Sequence, residues 1–139
     1  MLLQPKRMKY RKYQKNIQDK KKGNTYEFTF GEYGIKAVDN GYLPARTLEA
    51  IRQALNKKLK KAGKLWVCVF PDIPRSEKPA EVRMGKGKGA VGFWVAQIPA
   101  GQILFELNTN SPELASQAHK IVSKMIDLPV RLIKKEETL

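Results

Sequence analysis

The sequence has one cysteine, Cys68, and one histidine, His119. A lone cysteine excludes an internal disulfide, and with a single histidine no metal-ligand cluster can be read, so neither a metal nor another cofactor is expected. Acid is scarce as well. Thirteen Asp+Glu stand against 27 Lys+Arg, a formal charge of +14 and a pI of about 10.0. No apolar run approaches the ~18 residues that cross a bilayer. No acid pair and no nucleophile–base pair is visible, so no catalytic residue is assigned and an enzyme is not expected.

What remains is a 139-residue chain, about one domain, with an ordinary 42% of hydrophobic residues. A small domain needs a net charge of only roughly 2–8 for solubility. The excess points to a polyanionic partner: nucleic acid, an anionic membrane or an acidic protein. The membrane reading lacks its usual carrier, a basic amphipathic helix with Trp or Phe on the apolar face. It ranks last, and no membrane partner is expected.

The densest signal is Arg83-Met84-Gly85-Lys86-Gly87-Lys88-Gly89, where three glycines alternate with two lysines behind an arginine. Glycine reaches φ > 0 without steric cost and lets backbone approach a crowded partner. Cations at the same place suit phosphate. Residues 1–24 add Lys6, Arg7, Lys9, Arg11, Lys12, Lys15, Lys20, Lys21 and Lys22 against the single acid Asp19, with Tyr10 and Tyr13 interleaved. Like charges keep such a block from collapsing on itself. It reads as an arm that orders on a polyanion, with the tyrosines free to stack on bases.

From Thr25 the pattern becomes globular. Tyr26, Phe28 and Phe30 alternate as in a half-buried strand, Tyr33 to Val38 forms a second, and Asp39-Asn40-Gly41 turns. A helix is expected from Pro44 to Ala62 with Gly63 as its C-cap, and Leu48, Ile51, Leu55 and Leu59 facing the core. Its other face holds Arg46, Arg52, Lys57, Lys58, Lys60 and Lys61, with Glu49 the one acid. The dipole accounts for the late lysines but not for the early arginines. Leu65 to Phe70 reads as a buried strand with Cys68 packed in the core, and 71–79 as a proline-stiffened loop. Strands are expected at Ala80–Met84, Phe93–Pro99 and Gln102–Leu107. A second helix starts at Ser111-Pro112-Glu113 with Leu114, Ala118, Ile121, Val122 and Met125 inward, and a last strand covers Val130–Ile133. His119, beside that apolar stripe, reads as a packing residue. The class is α+β, with mixed or antiparallel strands and two helices.

Gly87-Lys88-Gly89-Ala90-Val91-Gly92 spells the dinucleotide fingerprint, which needs a helix directly after it. The aromatic segment from Phe93 is a strand, so the match is accidental. No lysine of the loop precedes Ser or Thr, so a P-loop fails too. A small phosphate- or nucleotide-binding enzyme using this loop remains the alternative to a nucleic-acid-binding protein.

The start MLLQPKR, the helix entry LPARTLEA, the segment KLWVCVFPDIP and above all VRMGKGKGAVGFWVAQI followed by GQILFE resemble the large-subunit ribosomal protein L-sixteen family, from Met1 to about Arg131. The resemblance implies a hammerhead-like single domain and a structural role in the large ribosomal subunit. Its implied partners are large-subunit rRNA, neighbouring ribosomal proteins and, by proximity, the A-site tRNA near the peptidyl-transferase region. The implied organisation is a basic arm over 1–24, a globular RNA-binding domain over 25–135 with a projecting loop at 83–92, and a tail at 136–139. The implied RNA-binding residues are Pro5, Lys6, Arg7, Lys9, Arg11 and Lys12 in the arm and Arg46 and Arg52 on the first helix. In the loop they are Arg83, Gly85, Lys86, Gly87, Lys88 and Gly89.

The sequence departs from the family pattern by an extra leucine at the start, Pro44 where threonine is common, Cys68 where arginine is common and Ile73 where lysine is common. RNA contact is not expected at the last two. Lysine, asparagine and isoleucine replace arginine in the manner of AT-biased coding. The expected setting is an organellar ribosome, with the mitochondrion favoured, or one in a bacterial cytoplasm. The basic start aligns with the family's mature start, so it is expected to be retained rather than cleaved as a transit peptide.

Overall fold

The computed structural model describes residues 3–15 and 27–135. In chain order its elements are β1 (Tyr33–Ala37), β2 (Gly41–Pro44), α1 (Ala45–Leu59), β3 (Gly63–Val67), β4 (Ile73–Glu77), β5 (Ala90–Ile98), β6 (Ile103–Thr109), α2 (Pro112–Met125) and β7 (Val130–Lys134). Every strand pairing is antiparallel, within one sheet of order β3-β6-β1-β7 and a second of order β2-β5-β4. The fold is the expected α+β domain.

Alternation decides which face of the larger sheet meets the helices. Val67, Phe105, Ile35 and Leu132 lie in one row across the four strands. Together with Leu107 and Ala37 they pack against the buried faces of the helices. In α1 that face is Leu48, Ile51, Leu55 and Leu59, the stripe that the 3–4 spacing predicts. In α2 it is Ala115, Ala118 and Val122, and Met125 is exposed rather than inward. His119 is half-buried there, with Nε2 3.1 Å from the Val130 carbonyl.

The opposite face carries the row Trp66, Glu106, Gly34, Ile133. Residues 28–31 cover it. Phe28 lies over Gly34, where an added Cβ would stand 2.9 Å from its ring, and Phe30 stacks on Trp66 with centroids 5.8 Å apart. Glu106, only 2% exposed, takes the backbone N–H groups of Thr29, Phe30 and Gly31 at 3.2, 2.7 and 2.8 Å. Burial pushes its carboxyl up, but the Phe30, Gly31 and Thr29 N–H groups outweigh it and hold the group below its ordinary 4.5.

Several expectations change here, each for a physical reason. Of the strand expected around Tyr26 to Phe30, Thr25 and Tyr26 lie outside the described residues, and 27–30 is not a strand. Its N–H groups are spent on Glu106 instead of a ladder. β3 ends at Val67, and Cys68 is exposed rather than core because β3 is an edge strand. The Cys68 sulfur turns back to Glu106 Oε1 at 3.7 Å; burial first and the carboxylate second push its thiol up to about 12. The proline-rich 71–79 contains β4, and Pro74 is tolerated because β4 is also an edge strand. Ala80–Met84 is irregular, so β4 and not this segment leads into the glycine loop. α1 stops at Leu59, Lys60 takes the left-handed position at φ 47°, and Gly63 opens β3 instead of capping the helix.

Replacing Glu106 tests this packing. Glu106→Gln keeps one acceptor oxygen, loses the charge and turns an amide toward N–H donors. It should cost about 1.5–3 kcal/mol in urea unfolding at pH 7. Because the folded carboxyl sits below 4.5, its contribution is complete above that pH and is lost as pH falls through the folded value. The wild-type chain should lose this share of stability on acidification below about pH 4.5 and the variant should not. Equal acid sensitivity in the two would refute the assignment.

Candidate nucleic-acid interface

Antiparallel pairing of β4 with β5 makes residues 78–89 the connection of a β-hairpin. Within it Lys78 Nζ donates to the Gly85 carbonyl and the Val82 N–H to Pro79 O at 3.2 Å. Gly85, Lys86 and Gly87 follow one another at φ 95°, 58° and 92°. An added Cβ at Gly85 or Gly87 would meet nothing within 4 Å, so these glycines serve the left-handed backbone and not close packing. Lys86 pays roughly 1–2 kcal/mol to join them. Gly89 differs: its Cβ would stand 2.5 Å from the Glu77 carbonyl, so it is the glycine that lets the loop close onto β4.

The arm meets this loop. Lys12 Nζ donates to Lys88 O at 3.3 Å, and Lys88 Nζ donates to the Tyr13 carbonyl. The reciprocal pair joins two segments 75 and 76 residues apart in sequence. Pro5, Lys6, Met8 and Arg11 then face Val91 and Trp94 of β5 across a cleft of about 500 Å³. Lys6, Arg7, Lys9, Arg11, Lys12, Lys15, Arg83, Lys86 and Lys88 are exposed, and the described arm residues include no acid. Tyr10 is 64% exposed, with Lys9 Nζ 5.5 Å from its ring centroid. Lys20, Lys21 and Lys22 lie outside the described residues.

Arg46 and Arg52 stand on α1 rather than in this cluster. Arg46 is exposed in the first helical turn, where the dipole disfavours a cation. Arg52 is committed to Glu49 by two bonds of 2.8 and 2.5 Å, which hold the Glu49 carboxyl down at about 2. Composition and spacing point to the cations, but not to Met8, Val91 or Trp94, which the fold places among them.

β5, not a helix, follows the glycines, so the dinucleotide geometry is absent. The chain matches the family described as "Ribosomal protein L16p/L10e" over residues 5–133. "Large ribosomal subunit protein uL16m" of Prototheca wickerhamii is 45% identical over 132 residues, 95% of this chain and 98% of the relative. "Large ribosomal subunit protein uL16" of Beijerinckia indica subsp. indica is 43% identical over 137 residues, 98% of this chain and 99% of the relative.

The arm–loop contact makes a prediction. Lys88→Met removes the Nζ bond to Tyr13, worth a factor of about 2–10 in the open population of the arm. Tryptic cleavage after Arg11 should accelerate by that factor, since cleavage tracks the open population. The melting midpoint should not move. An unchanged cleavage rate would show that the contact does not hold the arm.

Proposed function

We infer the role of this chain from its family: it belongs to the ribosomal protein L16p/L10e family, and it is a structural constituent of the large ribosomal subunit and not an enzyme. That membership removes the small-enzyme alternative. The chain binds large-subunit rRNA through one surface made of the arm and the β4–β5 loop. The observation that supports this most directly is the reciprocal Lys12–Lys88–Tyr13 contact, which brings the basic arm against the basic loop, with Lys6 and Arg11 lining the cleft against Val91 and Trp94 of β5. Like charges brought together by the arm and the loop repel one another unless phosphates lie between them.

Phosphate neutralisation supplies the affinity, and the bare left-handed turn at Gly85–Gly87 lets backbone approach a folded polyanion. Arg83 and the two loop lysines extend that contact. Arg46 adds a contact from α1, where its position at the positive end of the helix is otherwise unfavourable. Arg52 contributes only through the part of its guanidinium that Glu49 leaves free. Neighbouring ribosomal proteins follow from membership of the large subunit; proximity to A-site tRNA is part of our proposal, with the loop as the element that reaches toward it. The relatives named uL16m and uL16 fit an organellar or a bacterial ribosome, and the lysine-rich sequence favours the mitochondrion.

Two measurements test this reading. If about eight phosphates are neutralised, log K against log salt should fall with a slope near −6 to −7. An affinity that is flat across a salt titration would defeat it. Arg83→Ala should leave the melting midpoint in place, because the side chain is exposed. It should slow translation by ribosomes that carry it, and an unchanged rate would remove Arg83 from the interface.

A further inference from the structure

The cleft between the arm and β5 has a lining that phosphate binding does not call for. Its rim is Lys6 and Arg11; its floor and walls are Pro5, Met8, Val91 and Trp94. No acid borders it. At about 500 Å³ it falls within the range of small-ligand sites.

Its existence depends on one irregularity. β5 pairs with β4 as Phe93↔Arg75 and then Val91↔Ser76, which leaves Gly92 as an extra residue in the ladder. In a regular strand Val91 and Trp94, three residues apart, would point to opposite faces. One inserted residue returns them to the same face. Gly92 is required at that point, since an added Cβ would stand 2.7 Å from the Glu77 Cβ. The arm closes the other side, held by the Lys12 and Lys88 bonds. The site is therefore assembled from a bulge and a strap 80 residues apart, and neither segment makes it alone.

We propose that this cleft is a subsite for one unstacked nucleotide of single-stranded or bulged RNA, its base against Trp94 and its flanking phosphates on Lys6 and Arg11. The proposal rests on the RNA-binding reading above and adds to it a named ligand class at a named place. An aromatic ring with apolar walls takes the π-face of any base, and two cations at the mouth fit the backbone on either side of it. A duplex cannot use the cleft. Its bases are stacked and paired, and only an extruded one can enter. Charge complementarity selects this occupant over an apolar ligand, which would leave Lys6 and Arg11 without counter-ions.

The test uses the full chain carrying Trp66→Phe, so that Trp94 is the one remaining tryptophan, with two probes, heptauridylate and a 12-base-pair RNA duplex. Heptauridylate should quench Trp94 fluorescence and the duplex should not. Val91→Met fills the cleft from a half-buried position without touching the core and adds no second fluorophore; it should weaken heptauridylate about tenfold and leave duplex affinity within about twofold. Lys6→Glu with Arg11→Glu should also weaken heptauridylate more than duplex. If Val91→Met leaves both affinities unchanged, or lowers both equally, the subsite is overturned while RNA binding stands. If neither RNA binds the parent chain at 50 mM salt, the RNA-binding reading fails and the subsite with it.

Discussion

A buried carboxylate in the middle of a sheet decides how the rest of this molecule is arranged. Helices cover one face of the larger sheet, and the other must be covered by a short extended segment, residues 28–31. That segment runs over the sheet without joining it, so its N–H groups point inward with no ladder to meet them. Donors of this kind, part-buried at Thr29 and Phe30 and buried at Gly31, are costly unless paired. Glu106 meets them, at 2.7–3.2 Å, and the donors in turn justify burying the charge. Neither half is stable without the other. An apolar residue at position 106 would leave the segment no reason to lie there, and Phe28 and Phe30 would lose the places over Gly34 and Trp66 that they now hold.

The same logic of mutual need appears with opposite sign in the basic surface. The arm and loop contribute cations that repel, and two of those cations are satisfied by backbone carbonyls: Lys12 on Lys88 and Lys88 on Tyr13. Exposed bonds of this sort contribute little against water. They suffice to place the arm beside the loop but not to neutralise it. In the proposed RNA complex an incoming phosphate would do two things, relieve repulsion and add charge-assisted hydrogen bonds, and each would strengthen the arm–loop association beside it. Binding and ordering would then be coupled through charge, with no change required in the core.

How much of this was legible in the sequence depended on whether the determining contacts were local. The α1 stripe Leu48, Ile51, Leu55 and Leu59 is fixed by helical period and came out residue for residue. α2 was placed by Pro112 and Glu113, although Ser111 makes no side-chain cap. Strands failed where position in the sheet mattered. Pro74 looked incompatible with a strand until β4 proved to be an edge, and Cys68 looked like core until β3 did. The acid in ILFEL was a visible signal, since a carboxylate inside an apolar strand has to be paired. What pairs it lies more than 70 residues away, and no local pattern carries that. Of the candidate site, charge was legible: the cations at 6–12 and 83–88 could be named from the sequence, and they are exposed. Their junction was not, because it depends on a bulge at Gly92 and on tertiary placement of the arm.

The glycines show why a motif underdetermines its own chemistry. In Gly85-Lys86-Gly87-Lys88-Gly89 the spacing is uniform, yet the first two glycines stand in open space at positive φ and the third is pressed against Glu77. Gly92, outside the motif, is pressed against the same residue. The tip is thus backbone without packing neighbours on a close-packed base, and the base sets the direction of Trp94 and Val91. On the proposed surface, cations at the tip and along the arm would read only phosphate, which every nucleotide carries. Discrimination between paired and unpaired RNA has to come from something that phosphate contacts cannot supply. The aromatic wall beside the arm is the part of this surface with that capacity, and it exists because one residue too many was accommodated in β5.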